Sequence, residues 1–404
     1  MTANPLWTDD QAAAEKLALR LIERPDIRAA REEARLMLLA DPLAGALDGR
    51  LGLDRALDQW VLGLAMREAN GDPADPRVVW NISNAPRRWF GHIYPGAAVA
   101  IDNPDNFNRE IPIDGDGRYA VDIRFSADPP QFSIVAEVEP AHHAGLGRNL
   151  GALTLQQLKP FCDADGQVTV TVGPQEGGAT HLRTEPGARI QVYSLDPPAD
   201  MRPRDEEEIA RTVVADLPAW VAFWSGFKND FLGHPEPNRL IGPNGRDGGW
   251  GYLAGGRFAL GEGQGLLVTI DPAGSYYTGI QIADPWTISP DPMLRLVSLN
   301  SAQVTPATDG MISYVVAGVD PGIANWIDTA GLEEGWVLLR WQGVPDGADP
   351  ARFIRDVRVI DLVAIDRDLD ARVPRVDIAA RGQQLRDRAR QHGLRTHGAS
   401  WGDA

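Results

Sequence analysis

The sequence predicts a mainly β protein: two antiparallel β-sandwich or jelly-roll-like units, a helical N-terminal region and one helical insert. Three observations carry this expectation. From about residue 76 onward, short segments rich in Val, Ile, Tyr and Phe alternate apolar and polar residues, as in sheets with one wet face. Asp-Gly precedes an alternating segment three times, at Asp116-Gly117, Asp165-Gly166 and Asp309-Gly310, and Gly accepts the positive φ of a tight turn. Strands do not alternate regularly with long helices, which argues against a doubly wound sheet.

The segments divide as follows. Residues 1–75 are rich in Ala, Leu, Glu and Arg, the strong helix formers, with Leu17, Leu21 and Ile22 at helical spacing. Pro25 is expected to end the first helix and Asp26 to cap the next. "NGDP" stops the last of these helices. Residues 76–202 form the first β unit. Residues 203–250 hold a helical insert and a Gly-rich loop. Acidic residues crowd the start of the insert, which favours a helix N-terminus, and Pro218 predicts a kink or restart within it. Residues 251–370 form the second β unit. Residues 371–404 read as a polar surface helix with a loose tail.

A chain of 404 residues is long enough for two or three domains. Its formal net charge is -17, from 39 basic and 56 acidic residues. That surface repels phosphate backbones and anionic lipids, so neither nucleic acid nor membrane is an expected partner. The single cysteine, Cys162, cannot form an internal disulfide. The first residues show no signal-peptide pattern, and no apolar run approaches the ~20 residues of a span. A cytoplasmic location is expected, with a small molecule as partner and a homo-oligomer left open.

No G-x-S-x-G elbow, H-E-x-x-H helix or P-loop occurs, and "GEGQG" is too short for a dinucleotide fingerprint. "DADGQ" fails as a calcium loop, because Pro174 stands where an EF-hand needs Glu. The seven histidines are scattered. His142-His143 is the one adjacent pair and is expected in an exposed loop. No metal site and no cofactor are expected.

Four stretches, "NPDNFNREIPIDGDGRY", "AGSYYTGIQIADPW", "SLNSAQ" and "DPGIANWIDTAGLEEGWVLLRW", together resemble a bacterial family known as domain of unknown function number 1214, often seen beside number 1254. The resemblance spans roughly residues 95 to 365 and is most specific towards its C-terminal part. It implies sandwich or jelly-roll architecture with helical additions, and no established reaction.

The candidate site residues lie in these stretches. Asn103, Asp105 and Asn106 either cap an irregular loop or converge with Arg109 at the mouth of a sheet. In the cluster Asn325, Trp326, Asp328 and Thr329, either Asn325 and Asp328 shape a loop while Trp326 plugs the core, or Trp326 is a stacking wall and Asp328 a general base or hydrogen-bond acceptor. Asn300, Ser301 and Gln303 line a pocket or face solvent. Arg340 points opposite Leu339 and Trp341 by strand alternation: onto the wet face, or inward with Asp105 or Asp328 as partner. The expected function is a cofactor-independent lyase, hydratase or isomerase acting on a small, largely hydrophobic substrate in bacterial catabolism. Asp105 and Asp328 are the acid/base candidates, Arg109 and Arg340 the charge stabilisers, and His92 and His181 the reserves. The rival is a non-catalytic carbohydrate- or lipid-binding module, which calls for an exposed row of Trp250, Trp286 and Trp326.

Overall fold

The computed structural model describes residues 6–81, 83, 85–89, 91–99, 101–125, 132–143, 145–186, 188–191, 204–232, 236–246, 251–369 and 373–396. Strand and helix take close shares, 30% and 33%. The chain is therefore mixed rather than mainly β.

Helices α1 (Asp9–Ile22), α2 (Pro25–Leu38) and α3 (Leu47–Ala69) open the chain, and α5 (Glu206–Leu232) joins them. Thr8 caps α1 by accepting from Gln11 N. α1 ends at Ile22, just before extended Arg24, and Pro25 is the first residue of α2, where its missing N–H costs nothing. Asp26 lies inside that first turn and accepts from Ile27 N. Helix α5 is continuous across Pro218, so the expected restart does not occur. Leu21, Leu57, Trp60, Val213 and Trp220 are buried in the core these helices share.

The first β region contains β1 (Val79–Trp80), β2 (Arg87–Trp89), β3 (His92–Tyr94), β4 (Arg109–Glu110), β5 (Tyr119–Arg124), β6 (Ser133–Val138), β7 (Arg148–Thr154), β8 (Gln167–Gly173), β9 (His181–Arg183) and β10 (Ala188–Gln191). A short helix, α4 (Leu155–Leu158), follows β7. The three-stranded sheets β5-β8-β9 and β10-β6-β7 bury Val121, Val170, Ile134 and Leu153 in one cluster.

The second region is larger. It contains β11 (Ile241–Arg246), β12 (Gly251–Ala259), β13 (Gln264–Ile270), β14 (Tyr277–Ala283), β15 (Ser298–Asn300), β16 (Ile312–Ala317), β17 (Trp326–Asp328), β18 (Glu334–Gln342) and β19 (Ile354–Asp361). A five-stranded sheet, β11-β12-β18-β14-β15, and a four-stranded sheet, β17-β16-β13-β19, contribute to a single core. Phe258, Val268, Ile280, Tyr314 and Trp341 meet there.

The expectation of purely antiparallel sheets needs one correction. β8 pairs with β9, and β16 with β17, in parallel. Each pair follows an antiparallel partner, β5·β8 or β13·β16, so the same three-strand unit occurs in both regions. Asp-Gly opens the middle strand both times, with Gly166 and Gly310 at positive φ.

Two short elements close the chain, α6 (Ile365–Asp368) and α7 (Ile378–Thr396). α7 is not simply a polar surface helix. Arg381, Arg388 and Arg395 recur every seven residues, on one face. Arg381 grips both oxygens of Asp320, at 2.8 and 3.0 Å. Arg388 donates to the carbonyls of Pro292 and Ser298. Arg395 donates to Pro104 O at 2.6 Å and lies over the Phe107 ring.

Candidate functional site

The stretch around Asn103 does converge with the sheet, but not with every residue expected there. Strand β14 supplies the floor. Gly279 stands opposite Arg340 in the β14·β18 ladder. A Cβ at Gly279 would come within 2.3 Å of the Tyr277 hydroxyl oxygen, so glycine lets that ring lie across the strand. The Tyr277 hydroxyl donates to Asp105 Oδ2 at 2.9 Å and lies 3.2 Å from Asn103 Oδ1. Asn103 Oδ1 also accepts from Asp105 N, forming the loop-shaping bond that its residue type favours. Burial, then the Asp105 carboxylate, pushes the Tyr277 phenol well above its ordinary range.

Arg340 does point opposite Leu339 and Trp341, yet that face is not wet. The segment through Ile101 and Asn103 covers it. Arg340 donates to Gln281 Oε1 and, at 3.1 Å, to Ile101 O. Burial lowers its pKa. Gln281 in turn donates to Ser289 Oγ at 2.9 Å and to Asp102 O.

Above this network lies a cleft closed by the end of α7. Trp80, Asp102, Asn106, Gln281, Ser289 and His392 are among its lining, together with Arg395. The space between them is about 20 Å³, room for a water molecule and not for a substrate. His392 is buried. Burial first, then the Arg388 and Arg395 guanidiniums, push its imidazole down to about 3, so it is neutral at pH 7.

The remaining expectations fall elsewhere. Arg109 is half-buried on β4 opposite Trp80, and burial lowers its pKa. Asp328 pairs with Arg295 at 3.0 Å and accepts from Ala330 N, away from the cleft lining. Asn325 is a loop-shaping residue, bonded to both backbone groups of Thr305 and to Ser313 O. Trp326 donates to Ala317 O, with Arg381 over its ring. Asn300 and Gln303 bond one another across a turn that includes Ser301. Trp286 is fully buried, donating to Gly49 O and meeting Trp60 edge-on. The tryptophan row is therefore not a surface, and Trp250 lies outside the described residues. His92 pairs with buried Glu15 at 2.8 Å, and the two ring nitrogens of His181, on β9, meet Thr171 Oγ1 on β8 and Gln175 O just after it. Pattern reasoning missed Tyr277, Gln281, Arg395 and His392. The seven-residue arginine spacing in the last helix was the available signal.

A second hollow, of about 750 Å³, lies beside α1, α2 and α3. Ile22, Ile27, Val61 and Leu62 line it, with Arg28 and Arg31 among its charged residues.

A third place gathers titratable groups. His142 and His143 both have left-handed backbone, with φ of 56° and 53°. They are not a pair of solvent-facing side chains. His143 Nε2 lies 3.0 Å from Glu68 Oε1 and 3.9 Å from Asp216 Oδ2, while its Nδ1 lies 3.1 Å from Glu139 Oε2. Of the two, His142 is exposed, and its Nδ1 lies 2.6 Å from Asp216 Oδ1. Glu68, His143 and Asp216 could hold a metal ion, their ligand atoms lying within 4.8 Å of one another.

No protein-family model matches the chain, and no curated protein matches it. Among solved structures, an uncharacterised protein from Burkholderia cenocepacia is similar in fold, with a TM-score of 0.69 at 21% identity over 86% of this chain and 99% of that one. The VPA0106 protein from Vibrio parahaemolyticus aligns over the same shares, at 9% identity and a TM-score of 0.37, too low to support any argument.

Proposed function

We propose that this chain is a lyase, hydratase or isomerase that moves protons on a small, largely hydrophobic substrate beneath α7, using groups of its own. The observation that carries the reading is His392: a neutral imidazole beside two guanidiniums, lining a cleft with Asp102, Asn106 and Gln281. At about 3 the imidazole of the closed cleft is too weak a base for pH 7; an anionic substrate between the guanidiniums, with α7 lifted, offsets the burial and the charges that depress it and lets it accept a proton, and an adjacent guanidinium stabilises the anion left behind. Trp80, Ile282, Pro290 and Val297 supply the apolar walls. Admission of substrate requires the last turns of α7 to lift, since the closed cleft holds only water. Asp105 serves here by positioning the loop through Tyr277. Membership of the domain-1214 family and sandwich packing of both β regions belong to the same proposal. The shared core of the five- and four-stranded sheets supports the latter.

The test is solvent-deuterium exchange into a panel of small carboxylic and hydroxy acids, read by proton NMR. Exchange lost in His392→Gln supports the reading; a panel with no exchange and no thermal stabilisation removes it. The second reading, a binding protein for lipid-like molecules, rests on the 750 Å³ hollow, which falls in the usual range of ligand pockets. Stabilisation by fatty acids that Val61→Phe abolishes and His392→Gln leaves intact would favour it.

A further inference from the structure

The geometry points to a divalent-cation site, separate from the cleft under α7, with Glu68 Oε1, His143 Nε2 and Asp216 Oδ2 as its protein ligands. It does not depend on the function proposed above. Three arguments converge on it.

The first is how the carboxylates are used. Each gives one oxygen to an outer partner and turns the other on His143. Glu68 gives Oε2 to Arg204 at 2.9 Å and Oε1 to His143. Glu139 gives Oε1 to Arg67 and Oε2 to His143. Asp216 gives Oδ1 to His142 and Oδ2 inward. Ligand atoms held about 2.0–2.2 Å from one ion stand about 3–3.5 Å apart. The 3.0 and 3.9 Å separations around Nε2 need only a small adjustment to meet that.

The second is the tautomer. In the tautomer that a metal-bound His143 takes, Nδ1 carries the proton that bonds Glu139 Oε2, and Nε2 faces Glu68 Oε1. The edge of the ring meets Trp220 at 5.6 Å, fixing its plane. Nε2 then aims a lone pair at two carboxylate oxygens. Lone pairs facing one another in a buried place repel unless a proton or a metal ion lies between them. A carboxylate behind a histidine behind a metal is the arrangement that supporting residues around metal sites adopt.

The third is charge. Four carboxylates, Glu68, Glu110, Glu139 and Asp216, gather with two guanidiniums, Arg67 and Arg204, around the His143 imidazole. Neighbouring Glu137 is pushed up, by burial and then by Glu110, against the pull of Arg67 and Arg246. One imidazole with two carboxylates suits Zn²⁺ or Mn²⁺. Glu68 belongs to α3, Asp216 to α5, and His143 to the turn after β6. The ion would clamp the helical layer to the first β region, with exposed His142 marking the entry side.

The test uses the full chain after treatment with EDTA. Titration calorimetry with Zn²⁺ and with Mn²⁺ should show one equivalent bound and a raised melting temperature. Glu139→Gln should weaken binding by roughly 10- to 100-fold, and Asp216→Asn and His143→Gln by more. His181→Ala, on β9, should change nothing. If a variant fails to fold, electron spin-echo modulation of bound Mn²⁺ in the wild type decides, with coupling to one imidazole nitrogen expected. No uptake by the wild type, uptake indifferent to all three variants, or a His143 ring protonated on both nitrogens in the presence of Zn²⁺ would overturn the site.

Discussion

Two buried histidines sit in opposite surroundings. His392 lies between the arginines of α7, over a loop that holds Asp102 and Asp105. His143 lies among three carboxylates, whose own counter-charges stand farther out. The same side chain is thus kept proton-poor in one place and offered to a positive charge in the other. What a histidine does here is decided by the sign of the groups within hydrogen-bond reach, and those groups come from distant parts of the chain. Neither environment follows from a residue's neighbours in sequence.

The comparison can be broken most sharply at His392. If its neutral imidazole is a general base, His392→Gln should lower the exchange rate of a turned-over acid by about 10²- to 10⁴-fold while the protein stays folded, as NMR and circular dichroism can establish together. Wild-type turnover in that variant would leave His392 as packing only.

A pH titration sharpens the contrast further. His392 is depressed to about 3 in the folded state, against about 6.5 unfolded. Between those values the unfolded chain binds the extra proton, so stability is lost as pH falls, at about 1.4 kcal/mol per unit from this group. Asp284 runs the other way. Burial raises its carboxyl to about 7, so its contribution is present at low pH and is lost as pH rises from about 4 to 7. In the wild type these slopes oppose one another. Urea midpoints from pH 4 to 7 should therefore separate them. His392→Gln should show stability falling as pH rises, and Asp284→Asn stability falling as pH drops. Parallel profiles for the two variants would contradict the assignment.

The smallest expected effect is at Asp328. Asp328 is buried, but its partner Arg295 is half-exposed and stays hydrated without it, and Asn keeps the oxygen that accepts from Ala330 N, so Asp328→Asn should cost about 1 kcal/mol in chemical unfolding and leave the exchange rate unchanged. A large loss of rate would return Asp328 to the site.

Some of this was legible in the sequence. The acidic start of α5, the alternating strands and the Asp-Gly turns are local signals, set by backbone preference and by period. Arg340 shows where such signals end. Alternation gave its direction correctly, but burial depended on a segment more than two hundred residues earlier lying across that face. Asp105 was rightly drawn to the sheet, whereas Asp328 looked equally reactive and is paired off by Arg295. The Glu68–His143–Asp216 cluster had no spacing to betray it, since its members come from two helices and a turn. Trp286, read as a stacking surface, closes the contact between α3 and the loop after β14.

The arginine stripe of α7 also bears on the order in which the molecule comes together. Its acceptors lie up to 291 positions earlier in the chain, and several are bare loop carbonyls that have no fixed direction until the strands around them are paired. Long-range contacts of this kind are entropically slow to form. Arg381 and Arg388 grip the second β region, whereas Arg395 reaches back to the loop at Pro104. The cleft is thus closed by the one contact of the stripe that spans most of the chain, and losing that contact would open it to water.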